Sequence, residues 1–145
     1  MTTFFELDSR LAADTEEIGV LPLCRVLLMK DRTYPWCVLV PTRPGIREMH
    51  ELESTDRQRL MEEIAAVSRA LQIEFKGDKM NIAALGNQVP QLHVHVIVRY
   101  ATDPAWPGPI WGKQPTSPYS GTELRQQIAR ICRALENTSG FAARL

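Results

Sequence analysis

The sequence contains little cysteine and little histidine, with three residues of each among 145. The cysteines Cys24, Cys37 and Cys132 lie far apart, and no Cys-x-x-Cys pair is present, which excludes a zinc ribbon or a dithiol redox centre. An odd number of widely spaced cysteines is typical of reduced thiols in a cytoplasmic protein. We therefore expect a fold that needs no disulfide.

The sequence also lacks net charge and long apolar runs. Seventeen Lys and Arg residues balance 17 Asp and Glu residues, so no overall field attracts nucleic acid or an anionic membrane. No apolar run approaches about 18 residues, and the N-terminus has no basic region followed by an apolar segment. We expect no membrane segment, no targeting segment, no nucleic acid as the main partner, and a cytoplasmic location.

The length and a hydrophobic content of 44% are typical of one globular domain, which we predict over residues 1–145. Three Ser or Thr residues precede a Glu or Gln by three positions, the spacing of a capping box. The pairs are Thr3 and Glu6, Thr55 and Gln58, and Ser120 and Glu123. They predict helices over residues 4 to about 13, from 55 to just before Gly77, and at about 121–136.

Short apolar runs between turn signals predict four strands, at residues 22–29, 36–40, 79–85 and from just after Pro90. Residues 103–120 hold five of the ten prolines and are predicted to form an irregular covering loop. We expect an α+β fold with a mainly antiparallel sheet of four to six strands. The helices should lie on one side and the functional site on the exposed face.

Two histidines and a glutamine share one face of the last predicted strand. Residues two apart in a strand point the same way, so Gln91, His93 and His95 lie opposite the apolar residues that alternate with them. A solvated strand face would account for one histidine. Because two of the three histidines in the chain share this face, the pattern favours a functional site. The third histidine, His50, is predicted to lie on the surface.

A turn at residues 86–90 directly precedes this strand. Gly86 permits close approach of the backbone, and the amides of Asn87 and Gln88 can donate hydrogen bonds to an anion. Together with the two histidines, the turn suggests a small anion-binding pocket in which an imidazole attacks phosphorus.

Residues 91–97, Gln-Leu-His-Val-His-Val-Ile, resemble the signature of the histidine triad (HIT) family, with glutamine in place of the first histidine. With the Tyr-Pro-Trp of residues 34–36 and the Ala-Trp-Pro of residues 105–107, the chain is similar to bacterial HIT-domain proteins of the diadenosine polyphosphate hydrolase-like type. The resemblance covers about residues 20–112. It implies a HIT-like fold, a homodimer and a small nucleotide substrate.

The resemblance implies a role for each remaining histidine. The nucleophile that attacks the α-phosphate and forms a covalent nucleotidyl-histidine falls on His93, and the donor to phosphate oxygens falls on His95. The chain would then be a nucleotide phosphate hydrolase or nucleotidyl transferase that requires no cofactor. For His93 to attack through one nitrogen, an acceptor must hold the proton on the other, and we expect a backbone carbonyl there.

Other positions carry further expectations from the resemblance. Gln91 cannot titrate, although its amide can hydrogen-bond, and Gln88 stands where many members have a Ser or Thr donor. Asp31 is a candidate ribose contact or a turn aspartate. From the strand period alone, Arg99 shares the face of His93 and His95, so it is a candidate for binding a polyphosphate tail, or an exposed residue at a strand end.

Two alternatives to the enzyme remain. The first, suggested by Gln91 and Gln88, is a nucleotide-binding or regulatory protein with little turnover. A metal site would need a third ligand beside His93 and His95, for which Cys24 or Cys37 is the candidate. Trp106 and Trp111 either cover a nucleotide or pack within the loop or against a partner.

Overall fold

The computed structural model describes residues 4–144, which form a six-stranded sheet and three α-helices. In chain order the elements are α1 (Ser9–Asp14), β1 (Thr15–Val20), β2 (Cys24–Met29), β3 (Trp36–Pro41), a 3₁₀ helix (Met49–Glu51), α2 (Ser54–Phe75), β4 (Lys79–Ala83), β5 (Val94–Arg99), α3 (Gly121–Leu135) and β6 (Ala142–Ala143). The strands follow the order β4-β5-β3-β2-β1-β6, and every neighbouring pair is antiparallel. The predicted α+β fold is confirmed.

The start of the C-terminal helix follows its sequence signal. The hydroxyl of Ser120 accepts from the backbone N–H of Glu123, and the Glu123 carboxylate accepts from the backbone N–H of Ser120, both at 3.1 Å. The long helix α2 instead begins after Glu53, so the capping box predicted at Thr55 is wrong. The cap thus lies two residues earlier than the spacing indicated, directly after the buried Leu52.

The predicted first helix is wrong in its N-terminal half. Thr3 lies outside the described residues, and α1 begins only at Ser9, where the Asp8 side chain accepts from the N–H of Arg10. The side chain of Gln91 hydrogen-bonds the backbone of Glu6 and Asp8, and these long-range contacts replace the helical hydrogen bonds that the local pattern predicted.

The predicted strands are present, and two more appear. The strands β2 and β3 pair as an antiparallel hairpin, and β5 begins at Val94, slightly later than expected. The alternation did not reveal β1, which pairs with β2, or the two-residue β6, because tertiary pairing defines both.

Both faces of the sheet are buried. On one face, α2 and α3 pack against a core that includes Val94, Val96 and Val98. On the other face, Leu11 of α1 and several loop residues pack on strand residues such as Trp36 in a second apolar cluster. The expectation of helices on one side is therefore wrong for α1, and the face expected to be exposed is covered. The covering residues come from turns and a proline-rich loop, which show no regular spacing.

Within residues 4–144, none of the helices combines the length and apolar character that a bilayer crossing requires.

Candidate active site

His93 and His95 lie together on the face of the sheet that carries the second apolar cluster. His95 is on β5 and His93 directly precedes that strand; their side chains are buried, and their ring centroids lie 5.1 Å apart. The period of two that governs a strand extends back to residue 93, so the structure brings the two imidazoles to one side of the sheet.

The tautomer of His93 is fixed by the backbone carbonyl two residues earlier in the chain. Its Nδ1 lies 2.7 Å from the carbonyl oxygen of Gln91. A carbonyl oxygen only accepts, so Nδ1 carries the proton and Nε2 keeps its lone pair. The backbone carbonyl expected for this role is that of Gln91, and the arrangement suits Nε2 for nucleophilic attack.

His95 has the opposite arrangement. The indole Nε1–H of Trp36 donates to its Nδ1 at 3.0 Å, and Trp111 packs edge-on with its ring centroid 5.1 Å from that of His95. Burial, with a smaller contribution from His93, lowers the pKa of His95 to about 4. Sequence reasoning did not identify Trp36 as a contact of His95, because that contact depends on β3 lying beside β5.

A cavity of about 660 Å³ opens beside the two histidines, a size that fits a nucleotide-sized ligand. Asn87 and Gln88 line it, so the structure brings the predicted turn and the histidines together. Other parts of its wall are formed by residues that the sequence did not single out for the site: Leu11, Asp14, Met29 and Lys30. Asp14 and Lys30 add one charge of each sign to an otherwise neutral lining.

Gln91 and Gly86 are not among the residues that line the cavity. The Gln91 amide donates to the carbonyl of Glu6 at 2.8 Å and accepts from the N–H of Asp8 at 2.9 Å, so both of its polar ends hold the N-terminal segment. Arg10 reinforces this segment by donating to the Gln88 carbonyl at 2.6 Å. A Cβ at Gly86 would meet nothing closer than 3.8 Å, so no close backbone approach requires glycine there.

The structure places Asp31 and Arg99 away from the cavity lining. Asp31 accepts from the backbone N–H groups of Thr33 and Ser117, at 3.0 and 3.3 Å, as a turn aspartate does. Arg99 is 1% exposed, so the expectation of an exposed strand end is wrong.

The guanidinium of Arg99 is occupied by protein contacts. It forms a bidentate ion pair with Asp103 at 2.7 and 3.0 Å, and it donates to Asn81 and to the Gly108 carbonyl. These contacts hold the loop after β5 against the sheet.

The metal alternative lacks its third ligand. Cys24 and Cys37 belong to the core on the helical side of the sheet, opposite the histidines. Burial raises the pKa of the Cys37 thiol to about 12, which disfavours the thiolate that a metal needs. Among residues 4–144, no cluster of three potential ligands occurs.

Comparisons with known proteins show the family of this chain. The sequence model of the HIT domain matches residues 10–102. The chain belongs to the histidine triad (HIT) family. A histidine triad protein from Marinobacter aquaeolei VT8 is 53% identical, with a TM-score of 0.91 and coverage of 94% of this chain and 99% of that one.

Two further solved HIT structures are similar over nearly their whole length. The histidine triad protein from Bradyrhizobium japonicum is 49% identical, with a TM-score of 0.87 and coverage of 90% of this chain and 98% of that one. The protein from Sinorhizobium meliloti 1021 is 46% identical, with a TM-score of 0.88 and coverage of 90% and 97%. A comparison with curated proteins gives no match. The resemblance of residues 91–97 to the HIT signature is thus confirmed at the level of the family.

Proposed function

We propose that this HIT protein is a nucleotide phosphate hydrolase or nucleotidyl transferase that works through a covalent nucleotidyl group on His93. The observation that carries the proposal is the 2.7 Å contact between His93 Nδ1 and the Gln91 carbonyl, which leaves Nε2 with its lone pair. HIT membership supports nucleotide chemistry in general. The proposed substrate is a dinucleoside polyphosphate or a small nucleotide conjugate, as in the diadenosine polyphosphate hydrolase-like type.

The reaction has two displacements at the α-phosphorus. In the first, the Nε2 lone pair of His93 forms a P–N bond while the bridging bond from phosphorus to the leaving group breaks, and its electron pair departs with the leaving group. In the second, water forms a new P–O bond and loses a proton to solvent, and the P–N electron pair returns to Nε2. The Nε2–H of His95 and the amides of Asn87 and Gln88 stabilise charge on the phosphate oxygens.

A nucleotide-binding or regulatory protein with little turnover is the second candidate. It is favoured by Gln88 and Gln91, because an amide donates hydrogen bonds but does not transfer protons. In this case the cavity would hold a nucleotide without breaking it.

Intact mass spectrometry distinguishes the two candidates. The protein is incubated briefly with diadenosine tetraphosphate. The reaction is then quenched without acid, because acid would cleave a P–N bond. We expect an added adenylyl group and AMP release from the wild type and from His50→Ala, whose histidine is exposed, and neither from His93→Ala. Equal AMP release by the wild type and His93→Ala would refute the proposal of an enzyme that acts through His93. Nucleotide that binds without an adduct or AMP release would favour the second candidate, a nucleotide-binding protein.

We further propose that the protein is a cytoplasmic homodimer that pairs through β4. This strand pairs only with β5 among the described residues, and Ile82 on it and Leu85 just after it are 44% and 41% exposed. An exposed apolar edge strand readily pairs with a second chain. Light scattering after gel filtration tests this, with Ile82→Lys expected to be a monomer; a monomeric wild type would contradict it.

A further inference from the structure

The hydrogen bond between Trp36 and His95 decides which protons His95 can use. The Trp36 Nε1 lies 3.0 Å from His95 Nδ1, and an indole nitrogen is only a donor. His95 Nδ1 must therefore accept, which places the single proton of the neutral ring on Nε2. His95 is thus fixed in the tautomer opposite to that of His93.

The surroundings oppose a second proton on this ring. Protonation of Nδ1 would set its N–H against the N–H of Trp36, and both groups are almost fully buried, at 5% and 7% exposure. Trp111 lies against both rings, with centroids 5.1 Å from His95 and 6.2 Å from Trp36. Little water can therefore separate the two donors or solvate an imidazolium.

Among the described residues that line the cavity, His93 and His95 are the only imidazoles. The titratable side chains among its described lining residues are Asp14, Lys30, His93 and His95. The Nδ1 proton of His93 is held by the Gln91 carbonyl, and its Nε2 is the nucleophile. Asp14 ends α1 and Lys30 directly follows β2, so neither lies on the segment that carries the two histidines.

This distribution of protons bears on the leaving group. An amine leaving group must gain a proton as its P–N bond breaks, whereas the oxygen of a phosphate or a phenol of low pKa leaves as a stable anion. His95 donates a hydrogen bond through Nε2–H but does not transfer the proton. The site therefore suits leaving groups that depart as oxygen anions better than it suits amines.

We propose that Trp36 is a specificity-determining residue that keeps His95 a neutral donor, so that the enzyme prefers nucleotide substrates whose leaving group departs as an oxyanion over phosphoramidates. This inference rests on the proposed function and narrows its substrate class. Trp36 acts through His95 and is a positioning residue in this role.

Nitrogen NMR of the histidine rings tests the geometric part without any substrate. In the wild type we expect His95 to show an unprotonated Nδ1 and a protonated Nε2 from pH 7.5 down to pH 5.5. In Trp36→Phe, which retains an aromatic ring but loses the N–H, the pKa of His95 should rise. The control Trp111→Phe removes an indole beside His95 but keeps the hydrogen bond, so the tautomer should persist. A wild-type His95 protonated at Nδ1 would overturn the assignment.

Two AMP derivatives with leaving groups of similar size test the specificity: the 4-nitrophenyl ester and the benzylamide. We expect kcat/KM to favour the ester in the wild type, and the ratio to fall by about fivefold in Trp36→Phe at pH 5.5 as the benzylamide gains. In Trp106→Phe, which changes a partly exposed tryptophan outside the cavity lining, the ratio should stay near that of the wild type. An unchanged ratio in Trp36→Phe would overturn the specificity role. If the wild type cleaves neither compound and forms no adduct, the proposed function itself fails, and the NMR result still decides the tautomer.

Discussion

The side chain of Gln91 pairs with the backbone of Asp8: its Oε1 accepts from the Asp8 N–H at 2.9 Å, while its Nε2 donates to the nearby Glu6 carbonyl at 2.8 Å. An amide carries a donor and an acceptor on one plane, as a peptide group does. At the position of the first histidine in the HIT signature, this chain therefore uses a glutamine to hold the segment that leads into α1. That helix contributes Leu11 and Asp14 to the cavity wall.

Replacing Gln91 should loosen this wall. Gln91→Ala removes both hydrogen bonds, and we expect a loss of about 1–2 kcal/mol in the free energy of unfolding. Amide hydrogen exchange should become faster in residues 5–14. KM should rise more than kcat falls, because the cavity wall that α1 contributes is no longer held in place. Gln58→Ala, on the exposed face of α2, serves as the control. A fall in kcat with unchanged exchange would instead indicate that Gln91 takes part in the chemistry.

The low pKa of His95 makes stability depend on pH. Burial, then the nearby His93, lowers this pKa from 6.5 to about 4, so below pH 6.5 the unfolded chain takes up a proton that the folded chain refuses. Stability is thus fully present above pH 6.5 and is lost as the pH falls toward 4. From His95 alone we expect a loss of about 2 kcal/mol between pH 7.5 and pH 5.

Urea unfolding at the two pH values measures this loss. His95→Gln should remove the His95 contribution and flatten the dependence, while His50→Gln, which changes an exposed histidine, should keep the wild-type dependence. If His95→Gln retained the full slope, other groups would be responsible for it.

The elements that the sequence predicted well are those specified by local chemistry. The capping box of Ser120 and Glu123 needs only residues three apart, and the alternation through His93 and His95 needs only the period of a strand. The same spacing at Thr55 and Gln58 did not mark a helix start, because α2 begins after Glu53.

The elements that were missed depend on partners distant in sequence. Trp36 reaches His95 because β3 lies beside β5, and no local pattern states that order. Arg99 was expected at the surface or on a ligand, yet the proline-rich loop folds back so that Asp103 and the Gly108 carbonyl enclose it. Thus two co-facing histidines could be read from the sequence, whereas the groups that fix their protons and cover them required the tertiary fold.

The buried ion pair of Arg99 and Asp103 gives the last prediction. Their side chains are 1% and 4% exposed, and the hydrogen bond with Arg99 lowers the pKa of the Asp103 carboxyl. Asp103→Asn leaves the guanidinium buried without a compensating charge, so we expect a loss of about 3 kcal/mol or more in unfolding free energy. Because the loop that follows carries Trp111 to His95, KM should also rise.

The exposed pair of Arg43 and Asp56 provides the matched control for this substitution. The Arg43 guanidinium contacts the Asp56 carboxylate at 2.7 Å, but its side chain is 43% exposed, so Asp56→Asn should change stability by about 1 kcal/mol or less. Urea unfolding of both variants at pH 7.5 makes the comparison, and the tryptophan fluorescence of folded Asp103→Asn should report greater solvent access near Trp111. Equal losses of unfolding free energy in the two variants would mean that the buried pair of Arg99 and Asp103 stabilises the protein no more than an exposed pair does.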